Sequence, residues 1–353
     1  MTRLAELLSS IAPPPLGGVA AAERHLASLT KPPGSLGRLE EIALRLAILC
    51  GGAPEVGHPV IFTFAADHGV TAEGVSAYPQ VVTAQMVENF LRGGAAVNVL
   101  ARQAGARLVV ADFGVAAPLT RSAELVACPI GPGTANIAAG PAMTREQAIQ
   151  AIETGAALAQ KALDAGADLL ATGEMGIGNT TAASAIAAVF TGGAPERVTG
   201  RGTGVDDATL ARKVAAVRRA LEVNRPDARD GLDVLAKVGG FEIAGLAGVV
   251  LGAAAARVPV VVDGFITSVA ALAAVRLAPN AAGYLIASHR SVEAGHRLVL
   301  RELGKMPLLD LDLRLGEGTG AALAMLLIDS AVAISSEMAT FESAGVSDAA
   351  ANR

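Results

Sequence analysis

Five short apolar runs recur along this 353-residue chain, and each is followed by polar residues. The runs occupy residues 60–65, 108–111, 169–171, 259–262 and 284–287. The polar residues that follow them include Asp67, Asp112, Glu174, Asp263 and His289. Stretches of helical pattern separate the runs, at residues 82–100, 145–163, 208–223 and 268–277. Continuously apolar strands that alternate with helices indicate a parallel sheet covered on both faces, with its ligand beyond the carboxyl ends of the strands.

A glycine-rich loop, GEMGIGNTT at residues 173–181, lies between one of these runs and an alanine-rich stretch at 182–190. A strand, a glycine loop and a helix start, in that order, can form a phosphate site at the helix N-terminus. The spacing matches neither the P-loop nor the dinucleotide-binding pattern, so a plain turn is an equal alternative. Glu174 would repel a phosphate, and we therefore expect it to face another part of a substrate.

The composition excludes several classes of protein. The chain is 52% hydrophobic and only 3% aromatic, which suits closely packed helices on a parallel sheet. A net charge of −5 without a basic stripe argues against a nucleic-acid partner. Cys50 and Cys128 alone make no disulfide framework, and the longest apolar run, at 243–256, contains three glycines and is too short for a membrane span. Since no signal peptide is apparent, we expect a soluble cytoplasmic protein.

Histidines, carboxylates and hydroxyls do not form a familiar hydrolytic or metal motif. No serine nucleophile elbow is present, so acyl transfer has no support. Asp67 and His68 alone supply too few ligands for a metal, and we predict no metal site. His68, His289 and His296 have no paired spacing, which favours structural or substrate hydrogen bonds.

Two further segments carry charged residues among glycines or prolines. KPPGSLGRLE at 31–40 is either a linker or, through Lys31 and Arg38, an anion contact. RLGEGTG at 314–320 places Glu317 before an apolar helix predicted at 321–334. Glu317 is either a partner of the helix dipole or a base that faces a substrate, because glycines leave it uncovered.

Six motifs together resemble the nicotinate-nucleotide–dimethylbenzimidazole phosphoribosyltransferases, which make the lower-ligand nucleotide of cobalamin. They are KPPGSLGRLE (31–40), ADHGV (66–70), GEMGIGNTT (173–181), KVGGF (237–241), VDGFI (262–266) and RLGEGTG (314–320). The resemblance covers nearly the whole chain, in order. It implies an α/β fold with a Rossmann-like open parallel sheet flanked by helices, at residues 36–304. It also implies a small helical domain formed by residues 1–35 and 305–353, in a homodimer without a cofactor.

The resemblance also implies roles for particular residues. Glu317 corresponds to the general base and Glu174 to a second carboxylate of the active site. The residues implied for binding phosphate, ribose and nicotinate are Met175, Gly176, Ile177, Gly178, Asn179, Thr180, Gly202, Thr203, Gly204, Lys213, Asp263 and Ser291. Those implied for the benzimidazole are Tyr78, Met86 and Leu315. Family members vary at the positions of Tyr78 and Met86, so the preferred base stays open.

The implied reaction moves the phosphoribosyl group of nicotinate mononucleotide to 5,6-dimethylbenzimidazole, with inversion at C1′, giving α-ribazole 5′-phosphate and nicotinate. The pyridinium nitrogen of the mononucleotide leaves as a neutral base, so no general acid is required. One carboxylate can remove the proton of the attacking benzimidazole. Two alternatives stay open: a nucleotide-dependent oxidoreductase, which lacks its glycine fingerprint here, and a silent homologue that only binds a benzimidazole or its nucleotide.

Overall fold

The computed structural model describes residues 2–15, 17–52 and 54–347, and its centre is a six-stranded, entirely parallel sheet. The strands, numbered in chain order, are β1 (Pro59–Ala66), β2 (Arg107–Gly114), β3 (Leu125–Ala127), β4 (Leu169–Met175), β5 (Val260–Val262) and β6 (Leu285–Ala287). Their order across the sheet is β3-β2-β1-β4-β5-β6. The chain adds β2 and β3 on one side of β1, and then crosses over to add β4, β5 and β6 on the other side. The direction of strand addition therefore reverses between β1 and β4. Ligands of open α/β sheets bind at such a switch point.

Helices cover both faces of this sheet, which confirms the predicted fold class. The helices are α1 (Arg3–Ser10), α2 (Val19–Ser28), α3 (Arg38–Cys50), α4 (Val82–Leu91), α5 (Ala96–Gln103), α6 (Arg145–Asp164), α7 (Asn179–Thr191), α8 (Pro195–Val198), α9 (Asp207–Asn224), α10 (Gly231–Val238), α11 (Phe241–Ala255), α12 (Phe265–Leu277), α13 (His296–Glu302), α14 (Thr319–Glu337) and α15 (Phe341–Ala344). Alternate residues of β1 face opposite cores: Phe62 and Phe64 pack into one, Ile61 and Ala65 into the other.

The structure differs from the predicted helices and strands in two places. The helical pattern at 82–100 forms two helices, α4 and α5, because Gly93 takes a left-handed conformation with φ of +75°. The three-residue strand β3 was not predicted. Its residues are apolar, but it is short, lies at the edge of the sheet and is only partly buried.

Glycines allow α11 to pack unusually close to its neighbours. The apolar run at 243–256 forms α11, whose residues are buried from Phe241 to Ala254. A Cβ at Gly248 would overlap the carbonyl oxygen of Ile152 in α6, and one at Gly155 would overlap the carbonyl oxygen of Gly245. Gly248 and Gly252 of the run thus lie against α6, and Gly245 leaves room for the Phe113 ring of β2.

Among the described residues, one helix, α14, is long and apolar enough to cross a membrane by length and composition. Half of its apolar window is buried inside the protein, and it packs against α3, α5, β4 and β5. Core helices pass the same test, so this helix is weak evidence for a span.

The two ends of the chain meet beside α3. Leu29 forms a β-bridge with Thr340, and the N–H of Thr30 donates to the carbonyl oxygen of Ala339 over 3.0 Å. Helix α1, in contrast, packs against α6 and α11. The division into domains 36–304 and 1–35 with 305–353 stays a prediction, and residues 1, 16 and 348–353 of the second domain lie outside the described residues.

Candidate active site

A cleft opens at the carboxyl ends of the strands, beside the switch point between β1 and β4. Ten of the predicted site residues line it: Glu174, Met175, Gly176, Ile177, Asn179, Thr180, Gly202, Thr203, Ser291 and Leu315. Seven others do not line it: Tyr78, Met86, Gly178, Gly204, Lys213, Asp263 and Glu317. The structure thus brings the glycine loop, the 202–203 turn and the segment before α14 to one place.

The glycine loop joins β4 to α7 along a path that side chains would block. Gly178 has a φ of +95°, in the left-handed region that favours glycine. A Cβ at Gly176 would overlap the carbonyl oxygen of Ala66 at the end of β1. The N–H of Ile177 donates to Thr83 Oγ1 over 3.1 Å, which ties the loop to α4.

A buried cation stands at the helix end of this loop. Lys213 in α9 is 1% exposed, and its Nζ donates to Thr180 Oγ1 over 2.7 Å. Burial lowers the pKa of Lys213 to about 8, although the nearby Glu293 carboxylate opposes this effect. A Cβ at Gly202 would lie 3.2 Å from Lys213 Nζ, so the turn at Gly202 rests directly on the cation. Glu293 compensates the charge of Lys213 only in part, so an anion bound at Thr180 would be attracted to Lys213.

Glu293 is a site residue that the sequence did not reveal. It is 7% exposed, lines the cleft, and has a raised pKa because of burial, opposed by the charge of Lys213. The only available signal was its place after His289 and Ser291, downstream of a strand end. The other lining residues outside the predicted set are Gly264, Phe265, Ile266, His289, Arg314 and Gly316.

Glu174, the penultimate residue of β4, has its side chain almost completely buried. It is 6% exposed, and the Asn179 amide Nδ2 donates to Glu174 Oε2. Burial raises the pKa of Glu174 to about 8; the Asn179 hydrogen bond opposes this, whereas the charges of Glu242, Asp263 and Glu317 add to it. At neutral pH, Glu174 in the free protein is therefore mainly a neutral acid.

Glu317 lies immediately beyond the cleft wall. It is 4% exposed, so the expectation that the flanking glycines leave it uncovered is wrong. Its φ of +66° is an uncommon conformation for a side-chain-bearing residue. Its backbone is fixed because Thr63 Oγ1 donates to its carbonyl oxygen over 2.7 Å. Its Oε2 lies 3.5 Å from the N–H of Val97 at the start of α5. Burial raises the pKa of Glu317, the Val97 N–H opposes this, and Asp263 adds to it.

The end of β4 packs closely against the segment that contains Glu317. A Cβ at Gly316 would overlap Glu174 Oε1, and one at Gly173 would overlap the carbonyl oxygen of Glu317. Both positions require glycine, so the glycine beside each glutamate allows the other segment to approach closely.

Asp263 accepts hydrogen bonds from the backbone that follows Glu317. Its Oδ1 accepts from the N–H of Ala321 at 2.9 Å and its Oδ2 from that of Gly318 at 3.2 Å. Burial raises the pKa of Asp263, and the nearby His289 opposes this most strongly. The carboxylate therefore holds the start of α14, and its predicted place near a ribose stays a prediction.

His289 and His296 are buried and hydrogen-bonded. His296 Nδ1 accepts from the N–H of Ser291 over 2.9 Å, and its Nε2 lies 3.0 Å from Ser268 Oγ. Burial lowers the pKa of His296 to about 3, with His289 adding to the effect, so it is neutral. His289 Nδ1 lies 2.9 Å from Ser288 Oγ, and its ring also lines the cleft.

Tyr78 and Met86, which are predicted to bind the benzimidazole, do not line the cleft. Tyr78 is 50% exposed, in the segment before α4. Met86 and Met175 are half-buried and pack against the same hydrophobic core. Lys31 and Arg38 do not line the cleft; Lys31 pairs with Glu40 and Arg38 with Glu41, each at 2.8 Å.

No three His, Cys, Asp or Glu side chains within residues 2–15, 17–52 and 54–347 are grouped in a way that could hold a metal ion. The roles assigned to individual site residues stay predictions.

Comparisons with known proteins agree on one family. A family model described as a phosphoribosyltransferase matches residues 11–346. The nicotinate-nucleotide–dimethylbenzimidazole phosphoribosyltransferase of Chloroflexus aggregans is 58% identical over 99% of this chain and 99% of its own length. The enzyme of the same name from Geobacter metallireducens is 56% identical over 98% of each chain.

The fold agrees with that of a solved relative. The crystal structure of the enzyme of that name from Thermus thermophilus has a TM-score of 0.90 and 50% identity, covering 95% of this chain and 99% of the other. At such identity and coverage, the chain belongs to the family of nicotinate-nucleotide–dimethylbenzimidazole phosphoribosyltransferases.

Proposed function

We propose that this protein transfers the 5-phosphoribosyl group of nicotinate mononucleotide to 5,6-dimethylbenzimidazole or a related base, with inversion at C1′, in the assembly of the cobalamin nucleotide loop. Membership of the family supports this activity. The observation that carries it is a cleft lined by Glu174, the glycine loop and Gly316, with Glu317 next to Gly316 in the chain.

The phosphate of the mononucleotide is proposed to bind at Thr180 and Lys213. Lys213 Nζ already donates to the Thr180 hydroxyl, and its pKa is lowered to about 8 by burial. A phosphate beside it would favour the charged form, because a nearby opposite charge raises the pKa of an amine. The neutral carboxyl of Glu174 also reduces repulsion of an incoming anion.

Glu317 is proposed as the general base. The attacking benzimidazole nitrogen becomes nucleophilic when the proton on its other nitrogen is removed. The pKa of Glu317 is raised by burial, which makes its carboxylate a stronger base than an exposed glutamate. Positioned proton transfer of this kind contributes about 10²–10⁴-fold to the rate.

Glu174 is proposed to stabilise the ribosyl cation in the transition state. This role requires the ionised carboxylate, whereas burial favours the neutral acid in the free protein. The cationic pyridinium of bound mononucleotide supplies an opposite charge, which lowers the pKa of a neighbouring carboxyl. Ionisation of Glu174 would then accompany substrate binding, by analogy with the carboxylates that stabilise oxocarbenium-like transition states.

The proposed setting is the cytoplasm, as a homodimer, with no nucleic-acid or membrane partner. A net charge of −5 supports the absence of a nucleic-acid partner. The homodimer rests on the resemblance to the family, and size-exclusion chromatography with light scattering measures it directly.

Release of nicotinate from the mononucleotide, measured with and without 5,6-dimethylbenzimidazole, tests the proposed reaction. We expect base-dependent release and an α-ribotide product. Glu317→Gln should lower kcat by about 10²-fold or more while both substrates still bind. The exposed Glu342 provides a matched control, since Glu342→Gln should keep the parent rate.

Two results would contradict the proposal. Binding of the benzimidazole without any nicotinate release would favour the silent homologue. Near-parent turnover in Glu317→Gln would leave Glu174 as the next candidate for the base.

A further inference from the structure

Two buried residues, Asp67 and His68, lie at the end of β1 and have no part in the proposed chemistry. His68 is 1% exposed, and its Nε2 lies 2.8 Å from Oε1 of Glu242, which is completely buried in the first turn of α11. Neither His68 nor Glu242 lines the cleft. A hydrogen-bonded pair at this depth fixes the position of both side chains, because separating them would leave buried polar atoms without partners.

His68 lies directly against the glycine loop. A Cβ at Gly176 would lie 3.4 Å from His68 Cδ2, and a Cβ at Gly178 would lie 3.3 Å from His68 Cβ. On the other side, a Cβ at Gly240 would lie 3.0 Å from His68 Nε2. The imidazole therefore lies between the loop and the start of α11, and its ring prevents the loop from moving closer to α11.

Thr83 in α4 holds the same loop from another direction. Its Oγ1 accepts from the N–H of Ile177 over 3.1 Å, which ties the middle of the loop to α4. Asp67 lies beside these residues at the end of β1, where its Oδ2 accepts from the N–H of Ala116 over 2.8 Å. Burial raises the pKa of Asp67, and the Ala116 N–H and the Thr83 hydroxyl oppose this rise.

We propose that His68 and Thr83 are positioning residues for the nucleotide: His68, held by Glu242, supports the loop at Gly176 and Gly178, and Thr83 anchors it through the N–H of Ile177. This inference rests on the proposed function, because it takes the ligand of the loop to be the phosphate of the mononucleotide. The contacts of His68 favour a positioning role over a catalytic one, because its Nε2 faces the Glu242 carboxyl and its ring lies between the loop and the start of α11.

The two amide analogues of histidine provide a matched test. The amide nitrogen of glutamine lies near the place of Nε2, and that of asparagine near the place of Nδ1. Because Nε2 faces Glu242, His68→Gln keeps the buried hydrogen bond and His68→Asn loses it. We expect His68→Asn to raise the KM for nicotinate mononucleotide about tenfold, with kcat and the KM for the base little changed, and His68→Gln to restore most of the loss.

Thr83 provides an independent pair of variants on the other side of the loop. Thr83→Ser keeps the acceptor for the N–H of Ile177, whereas Thr83→Val removes it with little change of shape. We expect the same selective rise in the KM for the mononucleotide in Thr83→Val and near-parent values in Thr83→Ser. Melting temperatures within a few degrees of the parent would show that the fold is retained.

Calorimetric binding of nicotinate mononucleotide and of inorganic phosphate separates this inference from the proposed reaction. If the parent binds both but releases no nicotinate, the proposed reaction fails and the binding data still test the loop. Equal mononucleotide affinity in the parent, His68→Asn and Thr83→Val would overturn the inference while the reaction stands. A loss of kcat without a change in KM would also overturn it and make His68 catalytic. If the parent binds neither ligand, both proposals fail.

Discussion

Replacing Glu174 by glutamine should change how the stability of the protein depends on pH. Burial raises the pKa of Glu174 from 4.5 to about 8, and the two values differ by 8 − 4.5 = 3.5. One pH unit corresponds to about 1.4 kcal/mol, so ionisation of this carboxyl in the folded protein costs at most about 5 kcal/mol. Partial access of water to the cleft reduces this value.

The sign follows from the two states. Below about pH 4.5, Glu174 is protonated in the folded and the unfolded chain and contributes no pH dependence. Between about 4.5 and 8, the unfolded chain has lost the proton and the folded protein retains it, so stability falls as the pH rises. Above that window both states are ionised and the loss is complete. Glu174→Gln cannot ionise and keeps an acceptor for Asn179, so it escapes this loss.

Urea denaturation of the parent and of Glu174→Gln at about pH 5, 7 and 9 measures the effect. The free energy of unfolding of the variant relative to the parent should increase by several kcal/mol from the lowest to the highest pH. Glu222 is exposed on α9, so Glu222→Gln is a suitable control and should show no such increase. Parallel pH profiles for the parent and Glu174→Gln would refute the reasoning, since Glu174 would then ionise as it does in the unfolded chain.

Three further outcomes test other parts of the structure. Lys213→Ala should weaken binding of nicotinate mononucleotide by about 1.5–3 kcal/mol and benzimidazole binding far less; equal losses in calorimetry would exclude a phosphate contact. Tyr78→Ala should alter the order of kcat/KM among benzimidazoles, phenolic bases and adenine while nucleotide affinity stays the same; an unchanged order would place the aromatic subsite elsewhere. Gly248→Ala should destabilise the protein by about 1–3 kcal/mol, because its Cβ would overlap the Ile152 carbonyl oxygen. Gly140→Ala, where a Cβ meets nothing within 4 Å, is the control, and equal denaturation midpoints would contradict the packing argument.

Much of the fold follows from local sequence patterns. Each of the five predicted strands is a short apolar run, and this pattern is visible in the sequence alone. Four of these strands are buried almost throughout, whereas Leu108 and Val109 of β2 are half-buried. Strand β3 was not predicted, although its three residues are apolar; its pairing with β2 shows only in the tertiary structure. The break between α4 and α5 depends on the left-handed backbone conformation of Gly93. The presence of a glycine alone does not predict such a break, because glycines also occur inside helices, as in α11.

The sequence by itself determined the alternation of strands and helices, the polar strand ends and the glycine loop, because these are local features of residue type and spacing. Only the tertiary structure decided which of these residues meet. The close packing of the end of β4 against the segment that contains Glu317, the burial of Glu293 beside Lys213 and the support of the loop by His68 join segments far apart in the chain. Their charges depend on the same packing, since burial sets the pKa of Glu174, and no local pattern of residues records how deeply a side chain lies.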